Sequence, residues 1–175
     1  PTQVTKTGSE TVKLSFEKGE LKKVNDKSFA HPTEAIQYLQ SIAGAYGVGR
    51  DIHVGDTIIG IKGRVGFEAA APVVIIKAHH ALEKHVLTKW QLSWKDQLAQ
   101  FYGNWLHEGQ YFDPIMRDIE AFMTSTQKFV SGKVFVKLMP YRFELTGIES
   151  EHDLMSSRFG SYGEVNKGWS GDDVK

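Results

Sequence analysis

Segments with a period of two lie near both ends of the chain and enclose a middle with helical periodicity. Near the start, Val12, Leu14 and Phe16 alternate with polar residues, which is the pattern of a half-buried strand. Near the end, 133–138 and 141–146 alternate in the same way on either side of a Met-Pro pair, which predicts a hairpin. Strands that flank helices predict an α+β fold, mainly an antiparallel sheet packed with a cluster of α-helices.

Four segments of the middle are expected to be helical: 32–45, a segment from Pro72, 87–105, and a segment from Pro114 to about Gly132. In the third, Lys89, Lys95 and Gln97 are expected to face away from its aromatic stripe. The stripe suits the core or a subunit interface more than a ligand wall. The expected inner faces are Ile36 and Leu39; Val74, Ala78, Ala81, Leu82 and His85; Trp90, Trp94, Leu98, Phe101 and Trp105; and Ile115, Ile119 and Phe122.

Residues outside these helices are expected to be turn, strand or loose chain. The glycine-rich run 44–49 follows a helix, so it is interpreted as a helix stop and not as a phosphate-binding loop. Residues 50–68 have the composition of strand and turn. Residues 1–10 are polar and expected to be loose, and a Gly- and Ser-rich tail with Tyr162 and Trp169 follows Asp153.

Composition excludes several classes of protein. The chain has no cysteine, which excludes disulfides and thiolate metal sites. Its 21 Lys and Arg balance 21 Asp and Glu, so we expect no nucleic-acid partner. The apolar run 69–76 is too short to span a membrane, and nothing resembles a signal peptide. We expect a cytoplasmic protein whose two ends are cut points in a longer polypeptide.

Motifs of common catalytic sites are missing from the sequence. It contains no GxxxxGK[ST] loop, no HExxH pair and no GxSxG elbow. His79, His80 and His85 lie close together, but none are four residues apart on one helical face. We therefore interpret them as packed or capping histidines and expect no metal site.

The segment GIKGRVGFEAAAP, residues 60–72, concentrates charge around glycines directly before a helix. Lys62 and Arg64 beside a helix N-terminus suit a carboxylate or phosphate ligand, and glycines allow close approach of the backbone. The alternative interpretation is a bent strand with solvated charges.

This segment, the preceding GVGR and the following KAHHALE resemble argininosuccinate synthase in order and spacing. The opening VKLSFEKGEL and the later AFMTSTQKFVSGKVFVKL resemble further parts of the same domain. The likeness runs from about Val12 to Leu145. It implies that residues 1–175 are the C-terminal synthetase domain of a longer chain, without the N-terminal ATP-binding domain.

The resemblance implies an ATP-dependent C–N ligase of arginine biosynthesis. In that family citrulline is adenylated, the amine of aspartate displaces AMP, and argininosuccinate forms. ATP, with Mg²⁺ as its counter-ion, belongs to the missing half. The present half is expected to supply part of the citrulline pocket and most of a homotetramer core. It is expected to be inactive alone and to self-associate.

Residue by residue, the resemblance implies substrate contacts but no catalytic residue. Gly55 stands where the family has a glutamate near the α-amino group of citrulline, with Asp56 next to it. Phe67 stands where the family has a tyrosine, and Arg64 and Lys62 match loop cations. We expect Gly55, Asp56 and Phe67 to be pocket wall, and Arg64 and Lys62 to contribute loop electrostatics or structure.

The departures at Gly55 and Phe67 leave three interpretations open. In the first, Asp56 replaces the missing glutamate and the substrate is plain citrulline. Alternatively, the substrate is an N-acylated citrulline, which has no charged amine and needs the volume that Gly55 leaves. The third interpretation is a non-catalytic binding or assembly module with the same fold.

Overall fold

The computed structural model describes the backbone of residues 3–156 and the side chains of residues 3–155. The tail with Tyr162 and Trp169 lies outside the described residues. The strands are β1 (Glu10–Glu17), β2 (Glu20–Val24), β3 (Lys27–Ser28), β4 (Arg50–Asp56), β5 (Lys62–Glu68), β6 (Gly132–Met139) and β7 (Arg142–Glu149). The helices are α1 (Pro32–Gly44), α2 (Ala70–Val86), α3 (Lys89–His107) and α4 (Pro114–Gln127).

Five strands form the main sheet, in the order β3-β2-β1-β6-β7, with every neighbouring pair antiparallel. The two alternating segments predicted at opposite ends of the sequence are direct neighbours, because Val12 pairs with Val136 and Leu14 with Val134. Their apolar side chains are buried on the face that the helices cover. The α+β fold with an antiparallel sheet is confirmed.

Helix α2 contacts α1 and the strands β1, β6 and β7 of the sheet, and it contributes the largest buried face of the described helices. Its buried apolar residues recur at helical spacing: Ala70, Ala71, Val74, Ala78, Leu82 and Val86. Helix α1 meets α2 and β2 through its buried residues Ala35, Leu39 and Ala43, and the two alanines allow close approach. The prediction for Ile36 was wrong: it lies a quarter turn away from this narrow face and is 41% exposed.

The glycine-rich run after α1 is the predicted helix stop. The helix ends at Gly44, and Gly47 and Gly49 adopt left-handed φ angles of 69° and 78°, which glycine reaches without a steric penalty. The expectation that the first residues are loose was wrong in part. The backbone N–H groups of Thr5 and Lys6 both donate to the carbonyl of Ala45, at 3.0 and 3.2 Å.

Helices α3 and α4 pack against each other. The hydroxyl of Tyr102 in α3 donates to Glu120 in α4 at 2.7 Å. No residue of α3 is buried, so its predicted aromatic stripe does not belong to the core of this chain. The core positions of α4 are Met116, Ile119 and Thr126.

Two predictions for α4 were wrong. Ile119 is buried as expected, but Ile115 is exposed and Phe122 only partly buried, so the inner face is rotated from the expected one. The helix ends at Gln127 and not near Gly132, because residues from Gly132 onward are drawn into β6. None of the described helices is both long and apolar enough to cross a membrane.

Candidate functional site

Strands β4 and β5 form a second sheet of two strands, which is not hydrogen-bonded to the first. The register pairs Arg50 with Glu68 at the root and Asp56 with Lys62 near the tip. Residues 57–61 close the hairpin, and the N–H of Thr57 donates to the carbonyl of Ile61 at 2.9 Å. The segment expected to be strand and turn therefore projects as a hairpin that carries all five predicted site residues.

The first face of the hairpin carries Gly55 and Phe67. Directly paired residues of an antiparallel ladder place their side chains on the same face, and the faces alternate along a strand. Gly55 is paired with Gly63, and His53 with Val65, so these four share one face with Phe67. Since Gly63 and Phe67 are four positions apart on β5, Gly55 and Phe67 lie about 13 Å from each other along the ribbon.

The opposite face carries Asp56, Lys62 and Arg64. Asp56 and Lys62 are paired across the strands and form an ion pair. Arg64 is exposed, and within residues 3–156 it forms no ion pair. Asp56 thus lies on the opposite face of the ladder from Gly55, although both residues line the cleft described next, and its carboxylate is paired with Lys62.

A cleft of about 680 Å³ lies beside the hairpin, at the C-terminal end of α3. The polar and small residues that line it come from both elements: His53, Gly55 and Asp56 from β4, and Asn104, His107 and Glu108 from the end of α3. Sequence reasoning missed the residues of α3, because nothing in the chain order connects them to the hairpin. His53 could have been found from strand alternation, since it lies two positions before Gly55.

The imidazole of His53 occupies the space beside Gly55. A Cβ atom built on Gly55 would lie 2.7 Å from Nε2 of His53. This side chain is a flexible neighbour and could move, but in the structure it fills the volume that a longer residue at position 55 would take. Phe67 lines a separate depression at the root of the hairpin, of about 660 Å³.

A second polar cluster surrounds Glu83, which is fully buried in α2. Nζ of Lys95 lies 3.0 Å from its Oε2 atom, and Nε2 of Gln127 donates to its Oε1 atom at 2.7 Å. The prediction that Lys95 faces away was wrong: its side chain turns toward the body and is only 16% exposed. The cluster therefore joins α2 and α3 to the residue that ends α4.

The predicted packed histidines lie beside this cluster. His79 packs against Phe16, with ring centroids 5.5 Å apart, and its Nε2 atom is 2.9 Å from Oε1 of Gln127. Burial lowers the pKa of His79 below its ordinary value of 6.5, although the charge of Glu83 acts in the opposite direction. Nδ1 of His80 lies 3.7 Å from Glu83 and Nδ1 of His85 lies 3.4 Å from Asp153. Within the described part of the chain no three His, Asp or Glu side chains are grouped to hold a metal ion.

The sequence matches one protein family over most of its length. The family described as "Arginosuccinate synthase C-terminal domain" matches residues 1–170. Argininosuccinate synthase of Dictyoglomus thermophilum is 38% identical over 151 residues, which are 86% of this chain and 38% of that protein. The enzyme of the same name from Dehalococcoides mccartyi is 37% identical over 162 residues, 93% of this chain and 40% of its own. That of Xanthomonas campestris pv. campestris is 36% identical over 154 residues, 88% and 38%. The chain spans about two fifths of the length of these curated relatives.

Proposed function

Because the chain belongs to the argininosuccinate synthase family, we propose that it is the C-terminal synthetase domain of an ATP-dependent ligase. The ligase joins citrulline and aspartate and gives argininosuccinate, AMP and pyrophosphate, a reaction of arginine biosynthesis. The observation that carries the proposal is the match of residues 1–170 to the C-terminal domain of that family. The remaining three fifths of the relatives' length leaves room for a separate N-terminal domain.

We assign ATP, with Mg²⁺ as its counter-ion, to that N-terminal domain. The glycine-rich run 44–49 does not suit a nucleotide, because its glycines follow a helix instead of leading into one and so place no free N–H groups at a helix start. The role left to this domain is to hold amino acids in line for the reaction. Positioning of this kind supplies a large share of the rate enhancement in ligations of bound substrates.

The hairpin is the substrate-binding element of the proposal. Gly55 and Phe67 form the wall on one face, and Lys62 and Arg64 provide positive charge on the other. Asp56 neutralises Lys62, which leaves Arg64 to bind a carboxylate of a substrate. Both faces are exposed in this chain, so the pocket is completed by another domain or subunit of the full-length enzyme.

The form of the citrulline substrate is a separate question. On one face of the hairpin, Gly55, Gly63, Val65 and Phe67 are small or apolar and suit the acyl group of an N-acylcitrulline, but this group needs the imidazole of His53 to leave the space beside Gly55. A charged partner for a free α-amino group has to come from elsewhere, and Asp56 points to the opposite face. Comparing kcat/KM of the full-length enzyme for citrulline and its N-acyl derivatives decides between the two forms.

The isolated chain of 175 residues is expected to show no ligase activity, because its sequence contains no GxxxxGK[ST] phosphate-binding loop. Pyrophosphate release with ATP, aspartate and citrulline measures this directly, and the full-length protein serves as the positive arm. Turnover by the isolated chain above the blank would contradict the assignment of ATP to the other domain. A full-length protein without turnover would favour the binding or assembly module instead.

We also propose that the domain self-associates through the exposed stripe of α3, as expected for a homotetramer. Trp90, Trp94 and Phe101 are 67, 57 and 60% exposed, which is unusual for aromatic side chains this large. Light scattering is expected to give more than the monomer mass, and Trp94→Glu to lower it. Lys84→Glu, an exposed change on α2, is the matched control. A monomer at high concentration would refute the proposal.

A further inference from the structure

The cleft between the hairpin and the end of α3 has a lining that favours a cation. No lysine or arginine is among the described residues that line it. Of its two carboxylates, Asp56 is paired with Lys62, and Glu108 forms no ion pair within residues 3–156. An unpaired carboxylate without a competing cation beside it attracts a positively charged group.

The position of Glu108 on α3 strengthens this preference. Glu108 is the C-cap residue of a helix of 19 residues. The aligned peptide dipoles place a partial negative charge at that end, and this favours cations within the last turn. His107 and Asn104 of the same turn add further polar groups to the lining.

The opposite wall of the cleft contains Gly55 and His53. The residue at position 55 offers no side chain, and the imidazole of His53 fills the adjacent space. A neutral imidazole accepts a hydrogen bond from an N–H group, but it does not supply the charge that a buried ammonium group needs. The unpaired negative charge available in this cleft is therefore that of Glu108, which lines it together with Gly55.

We propose that Glu108 is a specificity-determining residue that pairs with the α-ammonium group of free citrulline. His53 accepts a second hydrogen bond from the same group. This inference rests on the proposed function, and it selects the free amino acid over the N-acylated form. The missing carboxylate at position 55 is replaced from another element of the fold and not by its sequence neighbour Asp56.

The test uses the full-length enzyme and the variant Glu108→Gln, which keeps the size of the side chain and removes its charge. We expect KM for citrulline to rise about tenfold, between the loss typical of an exposed ion pair and that of a fully buried one. The Michaelis or inhibition constant of N-acetylcitrulline, which carries no ammonium group, is expected to stay within about twofold. Glu108→Asp retains the charge and is expected to recover part of the affinity.

A control variant and the wild-type enzyme separate the possible failures. Glu34→Gln removes another exposed carboxylate, on α1, and should leave both constants unchanged. Full-length enzyme that uses neither substrate form would refute the proposed function, and the role of Glu108 with it. The role of Glu108 alone would be overturned if the enzyme is active but Glu108→Gln leaves KM for citrulline unchanged. It would also be overturned if Glu108→Gln weakens the binding of citrulline and of N-acetylcitrulline equally. Preference of the wild-type enzyme for N-acetylcitrulline would also overturn it.

Discussion

Replacing Glu83 with leucine is expected to lower the free energy of unfolding by about 3–5 kcal/mol, the usual cost of removing one partner of a buried ion pair. Glu83 is fully buried, and Lys95 lies 3.0 Å from it with little access to water. Without the carboxylate, the Lys95 ammonium must leave its place or remain poorly solvated. The same change removes the acceptor for Nε2 of Gln127.

A double-mutant cycle with Lys95→Met tests the ion pair itself. The variant Lys95→Met should be destabilised because Glu83 is left as an unpaired buried charge. In the double variant both charges are gone. Its loss of unfolding free energy is therefore expected to be smaller than the sum of the two single losses by more than about 2 kcal/mol. Urea unfolding followed by circular dichroism gives the four values. Additive single effects would mean that Lys95 and Glu83 do not interact in solution.

Replacing Gly49 with alanine is expected to cost about 2–4 kcal/mol, since strain and a steric clash combine there. Gly49 has a φ angle of 78°, and a Cβ atom would lie 2.7 Å from the backbone of Ala69 and Ala70. These atoms begin α2 and cannot move independently. Gly49 also accepts a hydrogen bond from the N–H of Ala69 at 2.9 Å, which closes the root of the hairpin.

Gly60→Ala is the matched control for Gly49→Ala. Gly60 has a φ angle of 80°, but nothing lies within 4 Å of its added Cβ atom. Gly60→Ala should therefore lower the free energy of unfolding only by the cost of backbone strain, about 1 kcal/mol. Equal losses for the two variants, measured by thermal or urea unfolding, would show that the packing of Gly49 against α2 is not tight.

The sheet and the helix positions could be predicted because their signals are local and repeated. Val12, Leu14 and Phe16 alternate over a whole strand, and only one face of that strand can be buried. The pairing of this strand with β6 could not be predicted, since it joins residues about 120 positions apart. Alternation predicts which face of a strand is buried, but it does not predict which strand pairs with it.

The inner faces of the helices were harder to predict, because several residues on each helix are apolar. Ile36 and Ile115 suit a core by composition, but Ala35 and Met116 occupy it. Lys95 was assigned to solvent because it lies off the aromatic stripe that was expected to be the inner face of α3. Its side chain turns inward because it pairs with Glu83, which lies 12 positions earlier on a face of α2 that is otherwise apolar.

The candidate site could be predicted only in part. Motif resemblance selected the hairpin, and alternation alone would have separated Gly55 from Asp56 onto opposite faces. The contribution of Asn104, His107 and Glu108 depends on where the end of α3 lies relative to the hairpin. No local pattern in the sequence contains that information.

Substrate binding by this chain can be observed in a structure of the full-length protein with bound citrulline. We expect citrulline against the face of the hairpin that carries Gly55, with ATP bound by the N-terminal domain. The ammonium group is expected within hydrogen-bonding distance of Glu108. Citrulline bound away from residues 50–68, or ATP bound by residues 3–156, would contradict the claim that this chain is the substrate-binding half of the ligase.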